Sequence, residues 1–165
     1  MVIKYLGDDE AYKVAMNLEG GGIDFYSNMA NCAKDAAVKK IFAALLEDEK
    51  RHYATFSKLD EALKDGPAAR PYEIDEEIAL YIKSLVEPGI FKKLPDGEGI
   101  CKLSQQEALG AGIQAEKDSI LFYTEAAKSC QSPSGKEAFA RIVEEEKGHL
   151  VTLARRLRQI RGKIE

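Results

Sequence analysis

Apolar residues recur at steps of three and four along four long stretches, roughly 8 to 33, 36 to 64, 104 to 130 and 133 to 161, the spacing of one helical face. The stripe runs through Ala11, Val14, Leu18, Phe25, Met29 and Cys32 in the first stretch and Phe42, Leu45, Phe56, Leu59 and Leu63 in the second. It continues through Leu109, Ile113, Ile120, Tyr123 and Ala127 in the third and Phe139, Ile142, Leu153 and Ile160 in the fourth. No proline interrupts the interior of a stretch, because the five stand at 67, 71, 88, 95 and 133. Ser104 to Glu107 has the pattern of a capping box, and Ser132-Pro133 that of an N-cap followed by proline at the first helical position. Asp8 and Asp35 are the expected caps of the first two helices. Four amphipathic helices predict an all-α, four-helix bundle.

The stripe is broken twice in the same way. In the second helix it steps through 42, 45, 49, 52 and 56, and positions 49 and 52 are Glu and His. In the fourth it steps through 139, 142, 146, 149 and 153, again with Glu and His at the two middle core positions. A repeat underlies this coincidence. Shifting the chain by 97 residues lays 18–55 on 115–152 without a gap, with thirteen of the 38 aligned positions identical. Glu19 falls on Glu116, Phe25-Tyr26 on Phe122-Tyr123, Glu49 on Glu146, and His52 on His149. Identities concentrated on unusual core residues mark two copies of one helical hairpin.

Connection lengths set the topology. Each hairpin turn is short, so its two helices are antiparallel, whereas residues 65 to 103 can travel the full length of helices of about 40 Å. This predicts an up-down-down-up bundle with a long crossover between helices two and three. Ile74, Ile78, Ile82, Leu85 and Val86 suggest a short crossover helix over 75 to 86, ended by Pro88-Gly89.

Composition narrows the class without changing the fold. The 165 residues are 45% apolar and 32% charged, as for one soluble domain spanning 1–165. With a net charge of −4 and interspersed signs, no nucleic-acid or membrane partner is expected. No apolar run is long enough to span a bilayer and the N-terminus lacks the form of a signal peptide, so a cytoplasmic location is expected. Cys32, Cys101 and Cys130 are odd in number and form no C-x-x-C, which favours reduced thiols, with Cys32 and Cys130 acting as small apolar residues.

Glu19 and Glu49 lie equally far from the turn near 34, as Glu116 and Glu146 do from the turn near 131, so each pair is level in its hairpin. A Glu and a His at i and i+3 share a helical face. Four buried carboxylates without compensation would each cost several kcal/mol or more. Two divalent cations match the four negative charges, and the only two histidines of the chain complete a mixed oxygen and nitrogen shell suited to iron or manganese. The expected ligands are therefore Glu19, Glu49, His52, Glu116, Glu146 and His149, an arrangement already known from di-metal helix bundles.

With these residues in place the segments LEGGGIDFY with EDEKRHY, and QAEKDSILFY with EEEKGHL, resemble the ferritin-like domain of the rubrerythrin family over nearly the whole chain. The resemblance implies two iron ions, with manganese or zinc as alternatives. It implies Glu19 and Glu116 as terminal ligands, Glu49 and Glu146 as bridges, and one histidine on each metal. It further implies reaction with hydrogen peroxide or dioxygen, as a peroxidase or ferroxidase active in oxidative stress, and a homodimer. Two departures stand out. The paired C-x-x-C motifs of a rubredoxin-like domain do not occur here, so electrons are expected from an external donor protein such as a rubredoxin. The further glutamate that rubrerythrins carry three residues past the third-helix ligand is replaced by Ser119, which puts the family's metal-shifting peroxidase turnover in question. A non-catalytic iron-binding or storage protein is the alternative function, and a bundle whose metal only stabilises the fold is a third.

Several residues flank this site. Gly20, Gly21 and Gly22 lie inside the first helix, either for close packing or a local bulge, or, at Gly22 and the equivalent Ser119, to leave room for an oxidant. Tyr26 and Tyr123, two turns past Glu19 and Glu116, are candidate catalytic residues that would hydrogen-bond a ligand or pass an electron, or are plain core aromatics. Asp48 and Glu145 are placed to accept the outer N–H of His149 and His52 respectively. Arg155, Arg156, Arg158, Arg161 and Lys163 make a basic end that suits the dipole of the fourth helix.

Overall fold

The computed structural model describes residues 7–66 and 97–162, together with Glu77, Leu80 and Ser84. Of the crossover helix expected over 75 to 86, Glu77, Leu80 and Ser84 are described and are helical, and the rest falls outside the described residues. Among the described residues four long helices form: α1 (Asp8–Cys32), α2 (Ala36–Lys64), α3 (Gln105–Ser129) and α4 (Pro133–Arg161), with a 3₁₀ segment, Gly97–Lys102, leading into α3.

The helix ends obey the local chemistry of the sequence with one exception. Asp35 accepts from the Val38 N–H at 2.9 Å, Ser104 and Glu107 close a capping box, and Ser132 accepts from the Gly135 N–H with Pro133 opening the helix. Asp8, expected as the cap of α1, instead stands inside its first turn behind Gly7. Its buried carboxylate accepts from the Gln131 and Ser132 N–H groups, 2.8 Å each, in the turn between α3 and α4. A tertiary pair of hydrogen bonds has displaced the local one, and three acidic residues in the first turn of α1 face its positive end.

Directions follow from contacts between helices. Tyr26 meets Glu116 while Tyr123 meets Glu19, so α1 and α3 run antiparallel. His52 meets Glu145 while His149 meets Asp48, so α2 and α4 do too. With antiparallel hairpins the order is up-down-down-up, and the hairpin turns lie at opposite ends of the bundle.

The apolar core consequently forms two parts. One, at the α3–α4 turn, centres on Tyr12, Phe56, Phe122 and Phe139; the other, at the α1–α2 turn, centres on Phe25, Met29, Phe42 and Leu109. Aromatic rings pack closely in both, Phe56 on Phe139 at 4.8 Å and Tyr26 on Phe42 at 5.9 Å between centroids. Between them lies the layer of Glu19, Glu49, His52, Glu116, Glu146 and His149. Such burial removes on the order of 25 cal/mol per Å² of apolar surface from water and fixes the polar layer between two dry walls. Among the described residues no helix is long and apolar enough to cross a membrane.

The reading of all three cysteines as reduced thiols is corrected. Cys32 and Cys101 are joined in a disulfide, and Cys130 is free and buried. The crossover returns the chain to the end of α1, bringing together two residues 69 apart in sequence, a proximity that spacing and parity do not encode. Closing a loop of that length restricts the unfolded chain by roughly 4 kcal/mol in the entropy model.

Candidate metal centre

Helical spacing aims all six expected ligands at one layer. Each is no more than 6% exposed. Their donor atoms fall into two sets, Glu19, Glu49, His52 and Glu146, and Glu49, Glu116, Glu146 and His149, with the atoms of each set within 4.8 Å of one another. Glu49 and Glu146 belong to both. Level carboxylates on α2 and α4 are thus common to two clusters, each completed by one further glutamate and one histidine.

The imidazoles are held from outside. His52 Nε2 donates to Glu145 Oε2 and His149 Nε2 to Asp48 Oδ2, at 3.0 Å each, the partners expected from the sequence. The outer acids are themselves held: Arg51 contacts Asp48 and lies 3.5 Å from Glu145, which Arg141 also approaches. Burial opposes charge on Asp48, but hydrogen bonds from Arg51 and His149 keep its carboxyl below the usual range. With Nε2 committed outward, both Nδ1 atoms point to the layer. His52 Nδ1 is 3.1 Å from Glu146 Oε1 and 3.5 Å from Glu19 Oε2 without forming a hydrogen bond to either. His149 Nδ1 is 2.7 Å from Glu146 Oε2 and 3.5 Å from Glu49 Oε1. The two rings stack at 5.7 Å between centroids.

Glu116 and Glu19 are held across the hairpins. Tyr26 donates to Glu116 Oε1 and Tyr123 to Glu19 Oε1. Burial and then the adjacent Glu116 and Glu19 charges push the two phenols well above their ordinary pKa, so they remain donors. These contacts obey the 97-residue repeat, each element reaching from one copy into the other.

Electrostatics within the layer are opposed. Burial and the neighbouring Glu19 push Glu49 well upward, and burial and Glu146 push Glu116 up to about 8. Burial also works against charge on Glu146, yet His149 and His52 at its oxygens hold it far below the usual range. Burial likewise opposes the imidazolium, but adjoining carboxylates outweigh it, raising His52 to about 11 and His149 to about 10. Protons here offset charge that cations would otherwise offset.

The donor set fits two divalent metals. Glu19 Oε2, Glu49 Oε1 and His52 Nδ1 are buried with no hydrogen-bond partner, and all three belong to one of the clusters. Buried polar atoms are rarely left so, and three converging on one point are what a ligand shell requires.

Gly22 has a purpose that spacing did not reveal. A Cβ there would come within 2.5 Å of Glu49 Oε2, so the glycine admits the Glu49 carboxylate, whereas Gly20 has nothing within 4 Å of such a position. Helix α1 is continuous through all three glycines, without the local bulge considered from the sequence. The space at Gly22 is therefore occupied by the Glu49 carboxylate. Arg51 and Arg141 also escaped the sequence reading; their signal was an acid at i−3 and at i+4.

The Rubrerythrin family model matches residues 2–65 and 104–165. A solved structure from Thermotoga maritima, described as a ferritin-like diiron-carboxylate protein, superposes with a TM-score of 0.72 at 23% identity over 93% of this chain and 96% of that one, a likeness of fold. No functionally curated protein matches. Two family-matched segments enclose the repeated carboxylate and histidine layer, and the chain belongs to the rubrerythrin family.

Proposed function

We propose that the protein is a di-iron carboxylate oxidoreductase that reduces hydrogen peroxide or dioxygen with electrons from an external donor protein. The observation that carries this reading is the pair of buried four-residue clusters sharing Glu49 and Glu146, with lone pairs left unpaired inside them. Glu19 and His52 would serve one iron and Glu116 and His149 the other. Held there, two irons would supply two electrons and Lewis acidity toward the oxidant, which with two protons is what reduction of peroxide to two waters requires.

The chain's own residues set the conditions. Asp48 and Glu145 fix the outer nitrogen of each imidazole as the donor and so direct Nδ1 inward. Tyr26 and Tyr123 hold a proton at Oη beside the terminal glutamates and are the candidate catalytic residues for delivering a proton or an electron. The aromatic walls on either side exclude bulk water and strengthen every charge interaction in the layer.

Two iron ions per chain, and oxidation of the di-ferrous protein by stoichiometric peroxide faster than by air, are the expected results. Many irons per chain would instead support storage. A di-ferrous protein inert to both oxidants would overturn the redox reading.

A further inference from the structure

Outside the metal layer, the Cys32–Cys101 disulfide forms part of the wall of an open cavity of about 510 Å³ at the α1–α2 turn. The two cysteines are unequal: Cys101, in the 3₁₀ segment, is an exposed residue, while Cys32, at the end of α1, is half-buried. Buried Met29, Val38, Phe42, Ile100 and Ala108 line the cavity. Its charged lining among the described residues is Lys34 and Lys102, both exposed and each close in sequence to one of the cysteines.

We propose that this cavity is a thiol–disulfide exchange site that takes anionic thiols and is attacked at Cys101. Access selects the sulfur: an incoming thiolate meets the exposed residue Cys101 before the half-buried Cys32. The attacking RS⁻ forms a bond to Cys101 Sγ as the Cys32–Cys101 bond breaks, and Cys32 leaves with the electron pair and takes a proton from water. A second RS⁻ attacks the mixed disulfide at the sulfur of R, forming RSSR and releasing the Cys101 thiolate, which is protonated in turn. Two thiols are oxidised and one protein disulfide is reduced.

The lysines bear on both halves of the exchange. Lys102 follows Cys101 in the chain, lines the same cavity and adds positive potential for an anionic thiol. Lys34, two residues beyond Cys32, offsets the negative end of α1 and so favours departure of Cys32 as a thiolate. The apolar wall accepts the body of the thiol. Cys130 provides an internal reference, because it is buried in the opposite core and its thiol is raised to about 11, chiefly by burial. The proposal does not depend on which metal the central layer holds.

The test treats the oxidised, folded full chain with glutathione and, separately, with neutral 2-mercaptoethanol at equal thiolate concentration. After quenching with an alkylating reagent, peptide mass spectrometry reads where each adduct lies. The expected early product carries glutathione on Cys101 and alkyl on Cys32, with Cys130 unmodified and helical circular dichroism unchanged. Glutathione should react several-fold faster than the neutral thiol, and K34E/K102E should remove that advantage while changing the 2-mercaptoethanol rate less than about twofold, as a local field effect requires. An adduct mapped to Cys32, equal rates for the two thiols, or reduction that appears only together with Cys130 labelling would each overturn the proposal. C32S provides a second measurement: its Cys101 should form a lasting mixed disulfide with oxidised glutathione, and failure to do so in a folded variant would count equally against it.

Discussion

Two glycines two positions apart in α1 call for opposite outcomes. At Gly20 an added methyl meets nothing within 4 Å, so Gly20→Ala should gain the helix-propensity difference, about 1 kcal/mol, seen as a higher urea midpoint. At Gly22 the same methyl must displace the Glu49 carboxylate, so Gly22→Ala should lose about 1 to 3 kcal/mol and bind less than the full complement of metal. Equal behaviour of the two variants would contradict the packing seen here. The sequence set Gly22 apart only by its equivalence to Ser119 and not by its packing, because what matters is the side chain opposite each glycine, and that belongs to another helix. The six-residue cluster was easier to find. Polar residues in an apolar stripe are visible wherever the stripe is regular, and the repeat presented the same break twice. The outer acids sit on the same principle: Asp48→Asn should weaken metal binding about 10- to 100-fold in a chelator competition, because His149 would lose the charged acceptor that orients it. A loss of helicity accompanying that change would mean that Asp48 serves the fold instead.

At the scale of elements, helix ends were legible wherever the cap is local. Asp35, Ser104 and Ser132 satisfy N–H groups three residues ahead, a relation written in consecutive residues. Asp8 was misassigned because its partners lie more than 120 residues away, in the turn that α1 approaches only after the bundle has formed. The start of α3 also carries a pH dependence of known sign. The Ser104 N–H donates to Glu107 at 2.7 Å and holds its carboxyl below the usual range. A carboxyl whose folded pKa lies below its unfolded value stabilises fully above the unfolded value, about pH 4.3, and loses that contribution as pH falls through the folded one. Glu107→Gln should therefore lower the urea midpoint relative to the parent chain near neutrality, with the gap closing as acid protonates Glu107. A gap that stays constant with pH would show that the capping box acts without its charge.

For the molecule as a whole, the 97-residue repeat becomes a near two-fold exchange: Tyr26 and Tyr123 swap terminal glutamates, and His52 and His149 swap outer acids. The polar layer is the seam of this exchange, and the stability of the bundle depends on what neutralises it. Glu49 lies among Glu19, Glu116 and Glu146, with one buried oxygen unpaired. Without metal, Glu49→Gln removes a carboxyl whose charged form the layer disfavours and should leave the thermal midpoint unchanged or higher. With metal, the parent chain gains by mass action about 4 kcal/mol when free metal exceeds the dissociation constant a thousandfold, whereas the variant lacks a ligand common to both clusters and should gain little. The order of the two midpoints should consequently reverse between chelated and ferrous-loaded protein, measured anaerobically by circular dichroism. A bundle whose carboxylate layer served packing alone would keep the same order in both conditions, since metal would then have no preference between the two chains.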